Sequence, residues 1–537
     1  MKVRVDVRLV LLSAAAMAAC MRLATAAGSY EVEDVPLSQI AGDLAAGKTT
    51  SVEVTQAYID RIQKYDGPLH AVIGIDPNAL KQAAAADKRR KARKSLGPLD
   101  GVPVLLKDNI DVVGVPTTAG SYALVDNKAA KDSEVAQRLR AAGVVFLGKA
   151  NLSQFANYRT TGGFNGSTVG GSTHNPYDLS RTPAGSSSGS GIAAAVSFGA
   201  ATIGTETSGS ITGPANVNGV VGLKPTIALV SRRGIVPISL NQDTAGPMTR
   251  TVRDAAMLLN VLAGSDAGDP WSKEADQYRT DYVAALRTDA LKGQRIGVMR
   301  GLSGQNESTN PVYNQAVQDL AAQGAELVEI ADTGFIDLSS QMMDVKLTRE
   351  FKDDINAYLA GTPSAVKVRN LAQLIAFSDT EPHEKLHDHV RWDMAEATQG
   401  RKSADYEEIR NKAETAAGQQ GIDRLLKQYN VVALVTLTGG PAGLIQPDGS
   451  GGARRAAAAA GQPPAPSATS YAAIAGYPHL TVPMGFVNEL PVGLSFIGPK
   501  WSEKTLLSFG YAYEQATRKR VPPAAYKQAA AAESLVQ

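Results

Sequence analysis

From residue 102 to residue 497, short apolar runs of strand type alternate with longer segments whose apolar residues recur at helical spacing. That alternation predicts an α/β chain whose sheet is covered on both faces by helices. Val102–Leu106, Val144–Leu147, Arg295–Met299, Glu326–Ile330, Val431–Leu437, His479–Met484 and Val492–Ile497 are the strand candidates. Ahead of and among them, Leu37–Ala46, Thr50–Asp66, Asp76–Lys91 and Ser133–Ala142 carry the helical period. With 537 residues, 44% hydrophobic and 20% charged, the chain can bury one large sheet as a single unit. No internal repeat is seen.

The N-terminus reads as an export signal. Lys2, Arg4 and Arg8 lead into the apolar stretch Leu9–Met21, and Ala24-Thr25-Ala26 offers small residues for cleavage after Ala26 or Ala27. The expected organisation is a signal over residues 1–27, a catalytic domain over 28–520 and a loose tail over 521–537. The leader is shorter than the ~20 apolar residues a spanning helix needs, and no later segment reaches that length, so no integral membrane segment is expected. Cys20, the single cysteine, lies in the leader. The mature chain would then have no disulfide, thiol nucleophile or thiolate metal site, and a lipid anchor on Cys20 is the lesser alternative to a periplasmic or secreted enzyme.

A formal net charge of +2 leaves no footprint for nucleic acid. The basic run Lys88–Lys94 has no interleaved aromatics and reads as the solvated end of a surface helix.

From Thr160 to Gly222 the chain is rich in Gly, Ser and Thr, but Ile192–Val196 and Ala200–Ile203 are apolar segments embedded in it. The stretch therefore predicts buried elements joined by tight turns, not a flexible linker. Residues 439–470, rich in Gly, Pro and Ala, read as a long surface loop near a pocket mouth.

Three patterns compete for the chemistry. Gly185-Ser186-Ser187-Ser188-Gly189 satisfies G-x-S-x-G, which would make Ser187 a nucleophile on a strand-to-helix turn. The Pro-bearing segment Asn175–Pro183 precedes it where that turn requires a strand. His383-Glu384-Lys385-Leu386-His387 satisfies H-E-x-x-H, in which two histidines on one helix face bind zinc. Its charged surroundings read instead as an exposed polar helix, and no metal is expected.

The third pattern is a set of segments. Gly101–Asn109, Arg181–Ser190 and Gly204–Ile211 come in that order, followed by Val220-Val221-Gly222-Leu223-Lys224-Pro225-Thr226, Asp243–Met248 and Ala475–Gly493. Together they resemble the core of the amidase signature family over about residues 35–520. The resemblance implies one large mixed β-sheet covered by helices, no cofactor, and a Ser-Ser-Lys triad of Ser210, Ser186 and Lys107. It also implies a cis peptide before Ser186, and an oxyanion hole of backbone N–H groups from Thr207, Ser208, Gly209 and Ser210. Ser188, Ser208 and Thr212 depart from the commonest family pattern, in which glycine, glycine and arginine are frequent. Ser208 fits if its φ is ordinary.

A free lysine titrates near 10.4, so Lys107 can serve as a base only if its surroundings lower that value by ~4 kcal/mol worth of destabilised ammonium. Its place directly after an apolar strand provides the burial, with Asp108 directed to the opposite face.

Glu206-Thr207-x-Gly209-Ser210-Ile211, Asn218-Gly219-Val220-Val221 and Gln242–Met248 look most like the peptide amidase branch, whose members remove C-terminal amides from peptides. The expected partner is thus a small-molecule or peptide amide, met by a monomer or homodimer. Hydrolysis of aryl, aliphatic or fatty-acid amides is the alternative. The remote ones are a zinc peptidase through His383 and His387 and an amidotransferase subunit.

Overall fold

The protein was analysed as a computed structural model that describes residues 30–160, 165–336, 338, 345–446 and 466–533. The N-terminal leader, Cys20 and most of the 439–470 segment lie outside the described residues.

Eleven strands form one mixed sheet. In chain order the strands are β1 (Val72–Ile75), β2 (Pro103–Lys107), β3 (Val145–Ala150), the two-residue pair β4 (Gly166–Ser167) and β5 (Gly171–Ser172), β6 (Ala201–Glu206) and β7 (Val221–Lys224). They continue with β8 (Thr244–Thr249), β9 (Arg295–Met299), β10 (Glu326–Ile330), β11 (Ala433–Leu437), β12 (His479–Val487) and β13 (Leu490–Ile497). The order across the large sheet is β1-β3-β2-β6-β8-β7-β12-β13-β11-β9-β10, with β4 and β5 pairing separately. β2 runs parallel to both β3 and β6, β11 runs parallel to β9, and the strands from β6 to β13 meet antiparallel.

The central strands are covered on both of their faces. Every residue of β2, β3, β6, β8 and β13 is buried. Helix α1 (Ser51–Tyr65) starts at a reciprocal cap, in which the Thr50 hydroxyl accepts from Glu53 N–H and the Glu53 carboxylate accepts from Thr50 N–H. Helix α2 (Ala79–Lys91) ends on the basic run, where Arg89 pairs with Asp100 and Arg90 with Asp87.

Two expectations are corrected. The predicted loose tail contains helix α3 (Ala525–Glu533), whose Tyr526 is buried and receives a hydrogen bond from Arg61 of α1 at 2.5 Å. The alanine-rich sequence of α3 conceals this, because only a few side chains, Tyr526 and the Lys527 that pairs with Glu33 among them, do the anchoring. The H-E-x-x-H segment is no exposed helix: Glu384–Leu386 is a single 3-10 turn, His387 is extended, and Glu384 is fully buried.

Candidate active site

β2 delivers Lys107 at its C-terminal end, where the side chain is 0% exposed. The parallel register of β2 with β6, Leu106 opposite Ile203, sets Thr205 beside it. Lys107 Nζ lies 2.7 Å from Ser186 Oγ, 2.9 Å from Thr205 Oγ1 and 3.3 Å from Thr205 O. Asn109 Nδ2 also donates to Thr205 Oγ1, at 3.0 Å. Among the described residues no carboxylate forms an ion pair with Lys107. Burial dominates and pushes its pKa down to about 7, against the opposing pull of Asp243 and Glu206. Asp108 turns to the other side, as strand alternation requires, and pairs with buried Lys149 at 3.0 Å.

In the neutral form, an amine has two N–H bonds and one lone pair. Thr205 presents two acceptors to this nitrogen, and the remaining neighbour is the Ser186 hydroxyl. In that form the two N–H bonds are met by Thr205 and the lone pair is left toward the Ser186 hydroxyl.

The Gly185–Ser186 peptide is cis. A Cβ at 185 would lie 2.3 Å from Ser153 Oγ, so any side chain there would force that hydroxyl to turn away. Ser187, the serine of the G-x-S-x-G match, is fully buried, and its hydroxyl donates to Thr205 O at 2.9 Å and accepts from Thr205 N at 3.2 Å. Its own N–H donates to Ser210 O at 3.1 Å. Ser187 thus fastens the Ser186 segment to β6 and to Ser210, with no strand entering the turn.

Ser210 is 8% exposed and sits in the turn after β6. Gly209, just before it, has φ +76°, while Ser208 has no such left-handed backbone. The backbone favours glycine at 209 and sets no such demand at 208. Glu206 shapes the turn from within: its Oε2 accepts from Ile211 N at 2.8 Å, Thr212 N at 3.0 Å and Thr212 Oγ1 at 3.2 Å. Thr207 is held at both ends, its hydroxyl donating to Asp243 and its carbonyl accepting from Gln242 Nε2 at 2.8 Å. The N–H groups of Ser208, Gly209 and Ser210 have no acceptor among the described residues. Such a row of free donors next to a serine can stabilise an oxyanion.

The three sequence segments therefore converge on one place. Thr205, Asn109, Gln242 and Asp243 lie in or beside those segments but carry no role that the sequence assigns, because their contacts depend on strand register and on a distant loop.

Glu384 belongs elsewhere. Its carboxylate pairs with Arg159 and accepts from Ser121 Oγ at 2.8 Å, Tyr122 N at 2.8 Å, Gln154 Nε2 at 2.7 Å and Thr168 Oγ1 at 2.9 Å. His383 stacks on Tyr122 with ring centroids 4.4 Å apart. No group of three or more metal-ligating His, Cys, Asp or Glu side chains occurs among the described residues. Among them, too, no helix is long and apolar enough to cross a membrane.

A buried lysine-serine pair beside a loop of free N–H donors is an arrangement that can support acyl transfer. Residues 53–507 match the Amidase family, and the chain belongs to it. It is 35% identical over 512 residues to a probable amidase of Arabidopsis thaliana, covering 92% of each chain. Its fold matches the peptide amidase of Stenotrophomonas maltophilia with a TM-score of 0.83 and 41% identity, over 91% of this chain and 98% of that one. It matches a glutamyl-tRNA(Gln) amidotransferase chain of Thermotoga maritima with a TM-score of 0.66 and 25% identity, over 91% and 97%.

Proposed function

We propose that this amidase uses Ser210 as nucleophile, Ser186 as proton relay and Lys107 as base, and that it removes the amide from amidated peptides. The observation that carries the reading is the 2.7 Å contact between Lys107 Nζ and Ser186 Oγ, in a site where no described carboxylate pairs with the lysine. Ser210 Oγ bonds to the carbonyl carbon as its proton passes to Ser186, and the proton of Ser186 passes to Lys107 Nζ. The carbonyl oxygen becomes an oxyanion facing the N–H groups of Ser208, Gly209 and Ser210. The relay then reverses: the C–N bond breaks, the leaving nitrogen takes the proton, and ammonia departs from an ester on Ser210. Water, deprotonated through the same relay, attacks that ester, releases the acid and restores the serine.

Amidated peptides are favoured by the likeness to the peptide amidase, at 41% identity and a TM-score of 0.83, against 25% and 0.66 for the Thermotoga maritima amidotransferase chain. The proposal extends to location, with residues 1–27 directing export and being removed. N-terminal sequencing of the enzyme recovered from outside the cytoplasm tests that part.

A panel of peptide amides, aryl amides, short aliphatic amides and fatty-acid amides, scored by ammonia release, tests the substrate class. The highest kcat/KM is expected on peptide amides. A tenfold preference for any other group would move the assignment to that group.

A further inference from the structure

Gln242 touches the oxyanion loop from behind. Its side chain is fully buried, its Nε2 donates to Thr207 O at 2.8 Å, and its Oε1 accepts from Lys346 Nζ at 3.2 Å. An ammonium can only donate and a carbonyl can only accept, so one orientation of the amide satisfies both neighbours. Lys346 therefore fixes which way Gln242 points.

Lys346 is itself held. It is fully buried and lies 3.3 Å from the equally buried Glu350. Glu350 also accepts from Ser239 Oγ at 2.6 Å, Asn241 Nδ2 at 2.7 Å and Tyr406 OH at 2.9 Å. Two of those donors precede Gln242 on the same loop, and the carboxylate thus ties the loop and the lysine to one point.

The consequence for the active site comes from peptide geometry. A trans peptide is planar, with C=O and N–H on opposite sides. Fixing the Thr207 carbonyl toward Gln242 aims the Ser208 N–H the other way, and that N–H has no acceptor among the described residues. We propose that Gln242, oriented by the Lys346–Glu350 pair, is a positioning residue that aims the Ser208 N–H at the oxyanion. The inference rests on the reading of Ser210 as nucleophile.

The test compares Gln242→Glu, Gln242→Met, Lys346→Met and the double variant Gln242→Met/Lys346→Met with wild type and Ser210→Ala. Two probes are a peptide aldehyde, which adds to the serine to give a tetrahedral oxyanion, and the matching peptide acid, which does not. Ionised, Gln242→Glu keeps a partner for Lys346 but has no donor for Thr207 O. It should therefore lose roughly 10- to 100-fold in kcat, somewhat less than outright removal of an oxyanion donor. KM should stay within about threefold, aldehyde affinity should fall with kcat, and acid affinity should not change. The double variant should be no slower than Gln242→Met, because both act on one amide. The pH profile should keep its acid limb.

Wild-type kcat in Gln242→Glu, or a loss confined to KM, overturns the inference even if Gln242→Met fails to fold. If Ser210→Ala is inactive while the Gln242 variants keep kcat, only this inference fails. If Ser210→Ala turns over, the nucleophile assignment has failed instead.

Discussion

Lys107 Nζ and Ser186 Oγ are 2.7 Å apart at the buried end of β2, and the only other oxygens bonded to that amine among the described residues belong to Thr205. A lysine in this setting is held near neutrality by the loss of water. Under the proposed mechanism its titration controls the rate.

Activity should therefore fall as pH drops through about 7, along a limb of one proton, as Lys107 becomes charged and can no longer accept from Ser186. A rate that stays level from pH 7 to pH 5 would contradict the neutral-lysine mechanism. Lys107→Met should lose at least about 1,000-fold in kcat, within the scale of lost acid-base catalysis.

The same titration carries a stability cost. The folded-state pKa lies below the unfolded one, so between about 7 and 10.4 the unfolded chain binds more protons. Stability contributed by this group rises with pH across that window and is lowest at and below neutrality. The burden at pH 7 is on the order of 4 kcal/mol. Lys107→Met should raise the unfolding midpoint at pH 7, with a gain that shrinks toward pH 10. A destabilised variant at neutral pH would show that the Ser186 and Thr205 contacts outweigh the cost of lysine burial.

Thr205→Val tests the cradle of the amine. It removes the acceptor shared by Lys107 and Asn109 and leaves the Asn109 amide buried without that partner. A loss of about 1–3 kcal/mol in stability is expected, together with a kcat reduced by more than tenfold. An unchanged kcat would mean that Thr205 O alone orients the lysine.

The zinc pattern yields opposite expectations for its residues. His383→Ala should leave amide hydrolysis within about twofold of wild type, and a chelator should have no effect. Glu384→Ala should cost about 3–5 kcal/mol of stability because it strands buried Arg159. Loss of activity on chelation would revive the metal reading.

These expectations also mark how far the sequence can be read. Val102–Leu106 is recognisable as a strand because it is an apolar run buried on both faces, and the amidase resemblance attaches Lys107, Ser186 and Ser210 to their neighbourhoods. The roles of Thr205 and Gln242 are not legible. Thr205 meets Lys107 through the parallel register of β2 and β6, and Gln242 meets Lys346 across a separation of 104 residues, neither of which leaves a local period. Glu384 misleads for a related reason: its charged neighbours suggest a solvated helix, while its carboxylate is buried by partners from residues 121 to 168. α3 is held by the buried Tyr526 and by the pairing of Lys527 with Glu33, too few side chains to show in the composition of a tail.

Whether Ser210 carries the acyl group is decided by the mass of the enzyme during turnover. Rapid acid quench of wild type with a peptide amide should give an adduct equal to the acyl portion, mapped by proteolysis to Ser210, with one ammonia released per adduct in the first turnover. Ser210→Ala should give neither adduct nor ammonia. An adduct on another serine, or ammonia release by Ser210→Ala at the wild-type rate, would show that the nucleophile is not Ser210.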